Sequence, residues 1–480
     1  MKTLNRRSFL KRSLFAGATL SWTARSWAQV AGANERIHVA TIGFNGRGKS
    51  HIGGFVKLAA EGVKYVALCD VDQKVLAKGV SDAEKRGDKV QGFTDLRKML
   101  EMKELNAVSI ATPNHWHALA AIWSLQAGKD VYVEKPVSHN VWEGRKIVEA
   151  ARKYNRICQT GTQSRSSTAI RQAVEWVQAG NLGKILFSRG LCYKPRASIG
   201  DVEGDQRIPP EIDYNLWCGP APMDPVRRNR LHYDWHWFWA YGNGDLGNQG
   251  IHQMDVARWF LGEDRLAPRV FSVGGRVGYI DDGETPNTQF VVHDYPSAPL
   301  IFEVRGLPEA KGSKSMDKYK GEGIGVVVEC EGGYVTASGD ATAHDRSGKV
   351  IQSWKGSVDH FDNFIQAVKS RDRSHLNADI WEGHLSSALC HTGNISYRLG
   401  QKADPREIRE RITSDRGALE TFERMAKHLA ANEVDINKDK LTLGPVLTMD
   451  PKTEKFIGNK AADALLTRDY RAPFVVPERV

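Results

Sequence analysis

Outside its first 28 residues this 480-residue chain has no apolar run approaching the roughly 18 residues that a membrane-crossing helix needs. No membrane anchor is therefore expected once a leader has been removed. Cysteine is scarce: six residues, at positions 69, 158, 192, 218, 330 and 390, fit neither zinc-ligand spacing nor a dense disulfide framework. Cys69 and Cys158 fall on strands read at opposite ends of one sheet, too far apart to bridge. Buried free thiols are the expected state. His232, His236 and His252 have acidic neighbours but no recognised ligand spacing, so no metal is expected. The chain has no internal repeat. Acidic residues are absent from residues 1–28, which hold Lys2, Arg6, Arg7, Lys11, Arg12 and Arg25. Without that segment, the formal charge of +10 falls to +4, which leaves no footprint for a nucleic-acid partner.

What remains is an ordinary globular composition, 41% hydrophobic and 26% charged, in a chain long enough for two domains. The basic start, the apolar run from Leu14 to Trp22 and the small residues of Ser26-Trp27-Ala28 read as a cleavable export signal. Arg6-Arg7-Ser8-Phe9-Leu10-Lys11 resembles a twin-arginine signal, which predicts a periplasmic protein exported already folded.

Beyond the leader, Ile37 to Ile42 reads as a buried strand running into Gly43-Phe44-Asn45-Gly46-Arg47-Gly48 and then a helix. Strand, glycine turn and helix start form the setting in which helix amides face a dinucleotide pyrophosphate. Asn45 stands where the fingerprint has its second glycine. Asn tolerates positive φ better than most residues, and Gly46 beside it gives the backbone room. The next strand ends at Asp70, 22 residues after Gly48, where a carboxylate binds the adenosine ribose and repels a 2′-phosphate. NAD is expected, NADP less so.

Further strand and helix alternation leads to Ala107–Ala111, then Thr112-Pro113-Asn114-His115-Trp116-His117, and to Asp130-Val131-Tyr132-Val133 before Glu134-Lys135-Pro136. A lysine at the C-terminal edge of a parallel strand points into the ligand crevice, where its ammonium can steady an alkoxide. Another segment, Gly244 to Asp255, places Asn248, His252 and Asp255 on one face if helical.

Together these stretches resemble the Gfo/Idh/MocA family, named for glucose–fructose oxidoreductase, inositol dehydrogenase and a rhizopine-catabolism protein. The resemblance spans roughly residues 36–400. It implies an α/β chain with an N-terminal Rossmann dinucleotide-binding domain at 36–160. A C-terminal α/β domain with an open, mostly antiparallel sheet would occupy 161–400, and a helix and tail 401–480. It also implies that the helix at 383–399 packs back on the nucleotide domain, that Thr112 and Asn114 lie near the nicotinamide ribose, and that His252 is the base on a substrate hydroxyl. In the family an aspartate assists that base; here Asn248 replaces it, and it can hold a hydroxyl but cannot take a proton. Asp245 or Asp255 is a candidate to compensate.

Glu134, Lys135 and His117 join the expected cofactor contacts, with His117 equally suited to bracing its loop. Gln163 and Arg165 follow the last nucleotide strand and can bind sugar hydroxyls. The run Tyr233 to Trp239 offers Trp235 and Trp237 as stacking platforms for a pyranose. The expected activity is NAD-dependent oxidation of a sugar, glycoside or polyol, with a tightly held and internally recycled cofactor. A redox-neutral glycosidase, lyase or epimerase working through a keto-sugar is one alternative, and a non-catalytic sugar- or nucleotide-binding protein is another. A homo-oligomer, dimer or tetramer, is expected through the open sheet.

Overall fold

The computed structural model describes residues 36–415 and 417–480; the expected leader at 1–28 lies outside them. Strands β1 (Ile37–Ile42), β2 (Val63–Cys69), β3 (Gln91–Phe93), β4 (Ala107–Ile110), β5 (Asp130–Val133) and β6 (Cys158–Thr160) form a parallel sheet in the order β3-β2-β1-β4-β5-β6. Helices α1 (Gly48–Lys57), α2 (Gln73–Lys85), α3 (Leu96–Leu100), α4 (Asn114–Gln126) and α5 (Val141–Lys153) connect them. β4 and β5 are buried at every position because helices cover both faces. Strand order reverses between β1 and β4, so the crevice for a ligand opens at their C-terminal ends.

The second domain adds α6 (Thr168–Gln178), β7 (Ile185–Tyr193), α7 (Tyr214–Cys218), α8 (Ile251–Leu261), β8 (Arg269–Gly275), β9 (Thr288–Asp294) and β10 (Pro299–Arg305). It continues with β11 (Ile324–Cys330), β12 (Gly333–Ala337), β13 (Ala341–Asp345), β14 (Val350–Trp354), α9 (His360–Ser370) and α10 (Ile380–Arg398). The chain then forms β15 (Gln401–Ala403), α11 (Pro405–Ile412), α12 (Ala418–Ala431), β16 (Leu441–Leu443), β17 (Leu447–Asp450) and β18 (Lys455–Phe456). These strands build a twelve-stranded sheet, β14-β13-β12-β11-β7-β10-β9-β8-β16-β15, with β17 on β8 and β18 on β17. Every pairing is antiparallel except β7 with β10. Helix α10 packs on α5 and β6, as the family resemblance implies.

One expectation changes. The segment after residue 400 is no appendage, for β15 and β16 extend the second sheet. The sheet is open and mostly antiparallel as expected, and over β8–β10 one of its faces is covered. Helix α12 carries Ala418, Phe422, Met425 and Leu429 at helical spacing, and this apolar stripe packs with Phe271, Phe290 and Ile301. Farther on, Phe474 returns to the nucleotide domain, its ring 5.5 Å from that of Trp116. All six cysteines are buried and free.

Candidate active site

The glycine turn has three distinct geometries. Gly43 has φ 75°, and a Cβ there would sit 2.9 Å from the Thr112 backbone. At Gly48 a Cβ would lie 2.2 Å from the Gly43 carbonyl oxygen, so only glycine lets α1 start this close to β1. Gly46 faces open space instead. Asn45 does not take the left-handed backbone expected for it; that burden falls on Gly43. No side chain caps α1, although its Lys49 and Ser50 amides already donate to the Gly46 and Arg47 carbonyls at 3.1 and 2.9 Å. The turn borders a cavity of about 350 Å3, lined among others by Gly43, Asn45, Gly46, Arg47, Asp70, Thr112, Asn114, His117, Glu134, Lys135 and Asn248. The Thr112 hydroxyl is buried there with no partner. A glycine-lined wall, an orphan hydroxyl and a carboxylate at the end of β2 together fit a dinucleotide.

Asp70 accepts from the Phe44 and Asp72 amides, each at 3.0 Å, which fixes its carboxylate toward the cavity. Burial nevertheless raises its pKa, against those two hydrogen bonds. Glu134 is a buried hub. It takes hydrogen bonds from Arg47 Nε at 2.8 Å, His51 Nε2 at 3.1 Å and Gln163 Nε2 at 3.2 Å. Burial opposes its charge, but the His51 bond and the charges of His51, Arg47 and Lys135 prevail, holding the carboxyl well below its usual range. Gln163 thus props Glu134 and is absent from the cavity wall. His117 is wedged between the Pro136 and Thr112 carbonyls at 2.5 and 2.8 Å and braces the loop. Asn114 Nδ2 donates to Asn243 Oδ1 at 3.1 Å.

Lys135 extends its ammonium to the Asn248 backbone carbonyl. Burial lowers its pKa; Glu134 pulls the other way, while Arg47 and Lys194 add to the fall. Asn248 lies within a π-turn, Leu246–Gly250, that leads into α8, so it is not the helix cap. The ring nitrogens of His252 make no hydrogen bond among the described residues. Burial first and the Lys135 charge second push its pKa down to about 3.

Asp255 does not share the site. Arg165 holds both its oxygens at 2.8 Å, Ser386 adds a bond at 2.7 Å, and the carboxylate is fully buried. Neither Arg165 nor Asp255 is therefore free for a substrate. Asp245 is likewise occupied, taking Arg196 Nε at 2.9 and 3.0 Å. Neither acid compensates for Asn248. Trp237 packs beneath the same Arg196, 5.0 Å from its guanidinium and away from the cavity.

Residues 37–162 match the model described as "Oxidoreductase family, NAD-binding Rossmann fold", and residues 184–282 match that described as "Oxidoreductase family, C-terminal alpha/beta domain". Both matches are to models of one oxidoreductase family, and together they span the glycine turn, Lys135 and Asn248. Levoglucosan dehydrogenase of Pseudarthrobacter phenanthrenivorans is 25% identical over 283 residues, 56% of this chain and 65% of that protein. An alpha-N-acetylgalactosaminidase of Shewanella oneidensis is 31% identical over 162 residues, 33% of this chain and 35% of that protein. The chain thus spans about a third to two thirds of the length of these relatives. Among solved structures, a levoglucosan dehydrogenase complex with NADH and levoglucosan shares the fold with TM-score 0.56 at 16% identity, covering 74% of this chain and 95% of that one. The WlbA dehydrogenase of Bordetella pertussis with NADH and UDP-GlcNAcA gives TM-score 0.55 at 19% identity, covering 74% and 94%.

Residues 194–243 roof the cavity, with Leu216, Trp217, His232, Tyr233, Trp235 and His236 in its wall. Trp235 is stacked on His236 at 3.7 Å and lines the nucleotide cavity rather than forming a separate sugar platform. The roof is pinned just past the end of β2, where Gln73 N donates to Glu211 O at 3.0 Å and His232 Nε2 meets Asp72 at 3.0 Å. Its other side is held by Trp116 Nε1, which donates to the Leu216 carbonyl at 2.9 Å. The sequence singled out the run Tyr233 to Trp239 but not Leu216 or Trp217, because only long-range folding brings the insert over the turn. His51 was missed as well, though its spacing was a signal: it stands four residues after Arg47, and both reach Glu134.

Proposed function

We propose that this protein oxidises a hydroxyl of a sugar, glycoside or polyol with NAD, keeping the cofactor bound. The observation that carries the reading is Lys135, whose ammonium meets Asn248 at the wall of the cavity bordered by the glycine turn, with His252, outside the wall, near enough for the Lys135 charge to lower its pKa. When bound, the nicotinamide supplies the hydride acceptor. The remaining work falls to the chain. Lys135 donates to the substrate oxygen and stabilises the alkoxide character that develops there. His252, with no hydrogen bond on its ring, receives the hydroxyl proton. Asn248 orients the hydroxyl through its amide. A carbohydrate substrate accords with relatives named for levoglucosan and for N-acetylgalactosaminide.

The roof favours a second reading of the same site. A cofactor walled in by Trp217, Trp235 and His232 exchanges poorly, so it must be restored in each cycle. Oxidation and re-reduction of one sugar around an elimination, hydrolysis or epimerisation achieves this. We further propose export to the periplasm by the twin-arginine route, where no soluble NAD pool exchanges with the protein. We also propose a homo-oligomer built on the part of the outer sheet face that α11 and α12 leave uncovered.

Protein purified from its native exported pool should release NAD on denaturation, identified by mass spectrometry. Incubation with a panel of sugars and glycosides separates the readings. Continuous NADH formation supports net oxidation, whereas glycoside cleavage without accumulating NADH supports the redox-neutral cycle. Protein that holds no nucleotide and binds none on addition would sink both. Asn248→Asp discriminates further: it should raise sugar oxidation in a dehydrogenase and impair a redox-neutral reaction.

A further inference from the structure

A second cleft, of about 490 Å3, shares none of the residues that line the nucleotide cavity. His139, Trp239, the α10 residues His391, Asn394 and Arg398, and Arg468 of the C-terminal segment converge on it. Neither Arg398 nor Arg468 forms an ion pair among the described residues. Asp469 stands exposed on the rim, and Glu284 is the acid whose charge Arg398 feels. Burial, and after it the charge of Arg468, outweighs Glu284 and lowers the Arg398 pKa. Glu143, which accepts from the His139 amide beside the cleft, also feels the charge of Arg468, while burial raises its pKa. Among the residues lining the cleft Asp469 is the one acid.

Its hydrogen-bonding groups are unevenly satisfied. Arg468 Nη1 donates to the Ala240 carbonyl at 3.0 Å and to His139 Nδ1 at 3.3 Å. A guanidinium can only donate, so Nδ1 accepts and the His139 proton sits on Nε2. That Nε2–H is buried without a partner. Asn394 Nδ2 donates to the Asn243 carbonyl at 2.9 Å, while its Oδ1 is buried without a partner. His391 Nδ1 is a third orphan. Orphaned buried groups are rare enough to require an account. Above them lies the Trp239 ring, 5.3 Å from the Arg398 guanidinium. Two unpaired guanidiniums and a free N–H match an oxyanion, an orphan acceptor matches a hydroxyl, and an indole face matches the C–H side of a pyranose.

We propose that this cleft is a second ligand site that takes an acidic sugar, with Arg398 and Arg468 on its oxyanion, Asn394 Oδ1 on a hydroxyl and Trp239 against the ring. The test is calorimetric titration of the NAD-saturated full-length protein with glucuronate, glucose 6-phosphate, glucose and inorganic sulfate. At least one acidic sugar should bind about tenfold or more tightly than glucose, the margin expected for charge-assisted pairing, and the better one shows whether a carboxylate or a phosphate ester is preferred. The double variant Arg398→Gln with Arg468→Gln, whose side chains stand at the rim, should lose that advantage. Trp239→Ala should weaken the acidic sugar but not sulfate. Lys135→Met should leave the affinity unchanged, which separates this cleft from the site of oxidation. Three results would overturn the proposal: equal binding of glucose and the acidic sugars, full affinity in the double arginine variant with an unchanged melting temperature, or loss of affinity in Lys135→Met alone. Sulfate binding as tightly as glucuronate, with Trp239→Ala silent, would overturn the sugar assignment as well.

Discussion

The Lys135 ammonium donates to the backbone carbonyl of Asn248, tying the end of the fifth Rossmann strand to the π-turn that leads into α8. The bond joins the two domains at the wall of the cavity that both residues line. It also directs the ammonium toward the cavity wall to which Asn248 contributes.

Lys135→Met keeps the apolar stem and removes the charge. Turnover should fall by about 10²-fold or more, the scale of losing one oxyanion donor, while NAD affinity stays near that of the wild type. Steady-state kinetics together with NAD titration checks this. Full activity in both Lys135→Met and His252→Asn would leave only a nucleotide-binding fold.

The pH profile should lack the neutral inflection of an ordinary histidine. With its pKa pushed down to about 3, His252 is already uncharged through the neutral range. Lys135 acts in the opposite sense. Its pKa is lowered by burial, so its ammonium is lost at a lower pH than that of a free lysine. Turnover should decline on the alkaline side earlier than a free lysine, at about 10.4, would dictate. His252→Asn should lower kcat without removing any limb near neutrality, as a kcat–pH series would show.

Asp70→Ala should weaken NAD binding and narrow the preference over NADP, since it removes a ribose acceptor and a charge that repels a 2′-phosphate. The measurement is the ratio of the two dissociation constants. An unchanged ratio would remove Asp70 from cofactor selection.

Arg165→Gln should destabilise the fold without entering the chemistry directly. It strips a fully buried Asp255 of a bidentate partner, and breaking a buried pair costs about 3–5 kcal/mol. Arg258, 3.6 Å away, favours the lower end of that range. Burial opposes the Asp255 charge, but Arg165 outweighs it and depresses the carboxyl pKa below its unfolded value. The stabilisation is therefore present above the unfolded carboxylate pKa and is lost as pH falls through the depressed one. Denaturant unfolding of both proteins should show the gap at neutral pH and its narrowing in acid.

Changing Arg6 and Arg7 together to Lys should leave precursor in the cytoplasm, and the wild-type mature chain should begin after Ala28. Cell fractionation and N-terminal sequencing test both points. Normal periplasmic yield from the double variant would reject the twin-arginine assignment.

Much of the fold was legible because local patterns carry it. The continuous apolar runs of β1, β4 and β5 announce strands buried on both faces, and the Gly43–Gly48 turn announces the point where α1 meets a ligand. Short strands were missed: β13 to β18 have few residues to show a period, and β14 is mostly exposed. The helix expected after residue 400 was not recognised as a cover for the sheet, because the charged face of α12 masks a narrow apolar stripe.

The sequence by itself determined the Rossmann domain, the glycine turn, Asp70 as the carboxylate ending β2 and Lys135 as the lysine ending β5, for each is set by residues adjacent along the chain. Tertiary structure alone decided which polar residues remain available for chemistry. Arg165, Asp255, Asp245 and Gln163 looked equally eligible as substrate ligands or helpers, yet each is engaged by a partner 29 to 90 residues away. The roof over the cofactor cavity and the cleft holding Arg398 and Arg468 arise in the same way. A side chain's freedom depends on what packs against it, and burial leaves a charge or a hydrogen-bonding group unpaired only at a cost that few sites bear.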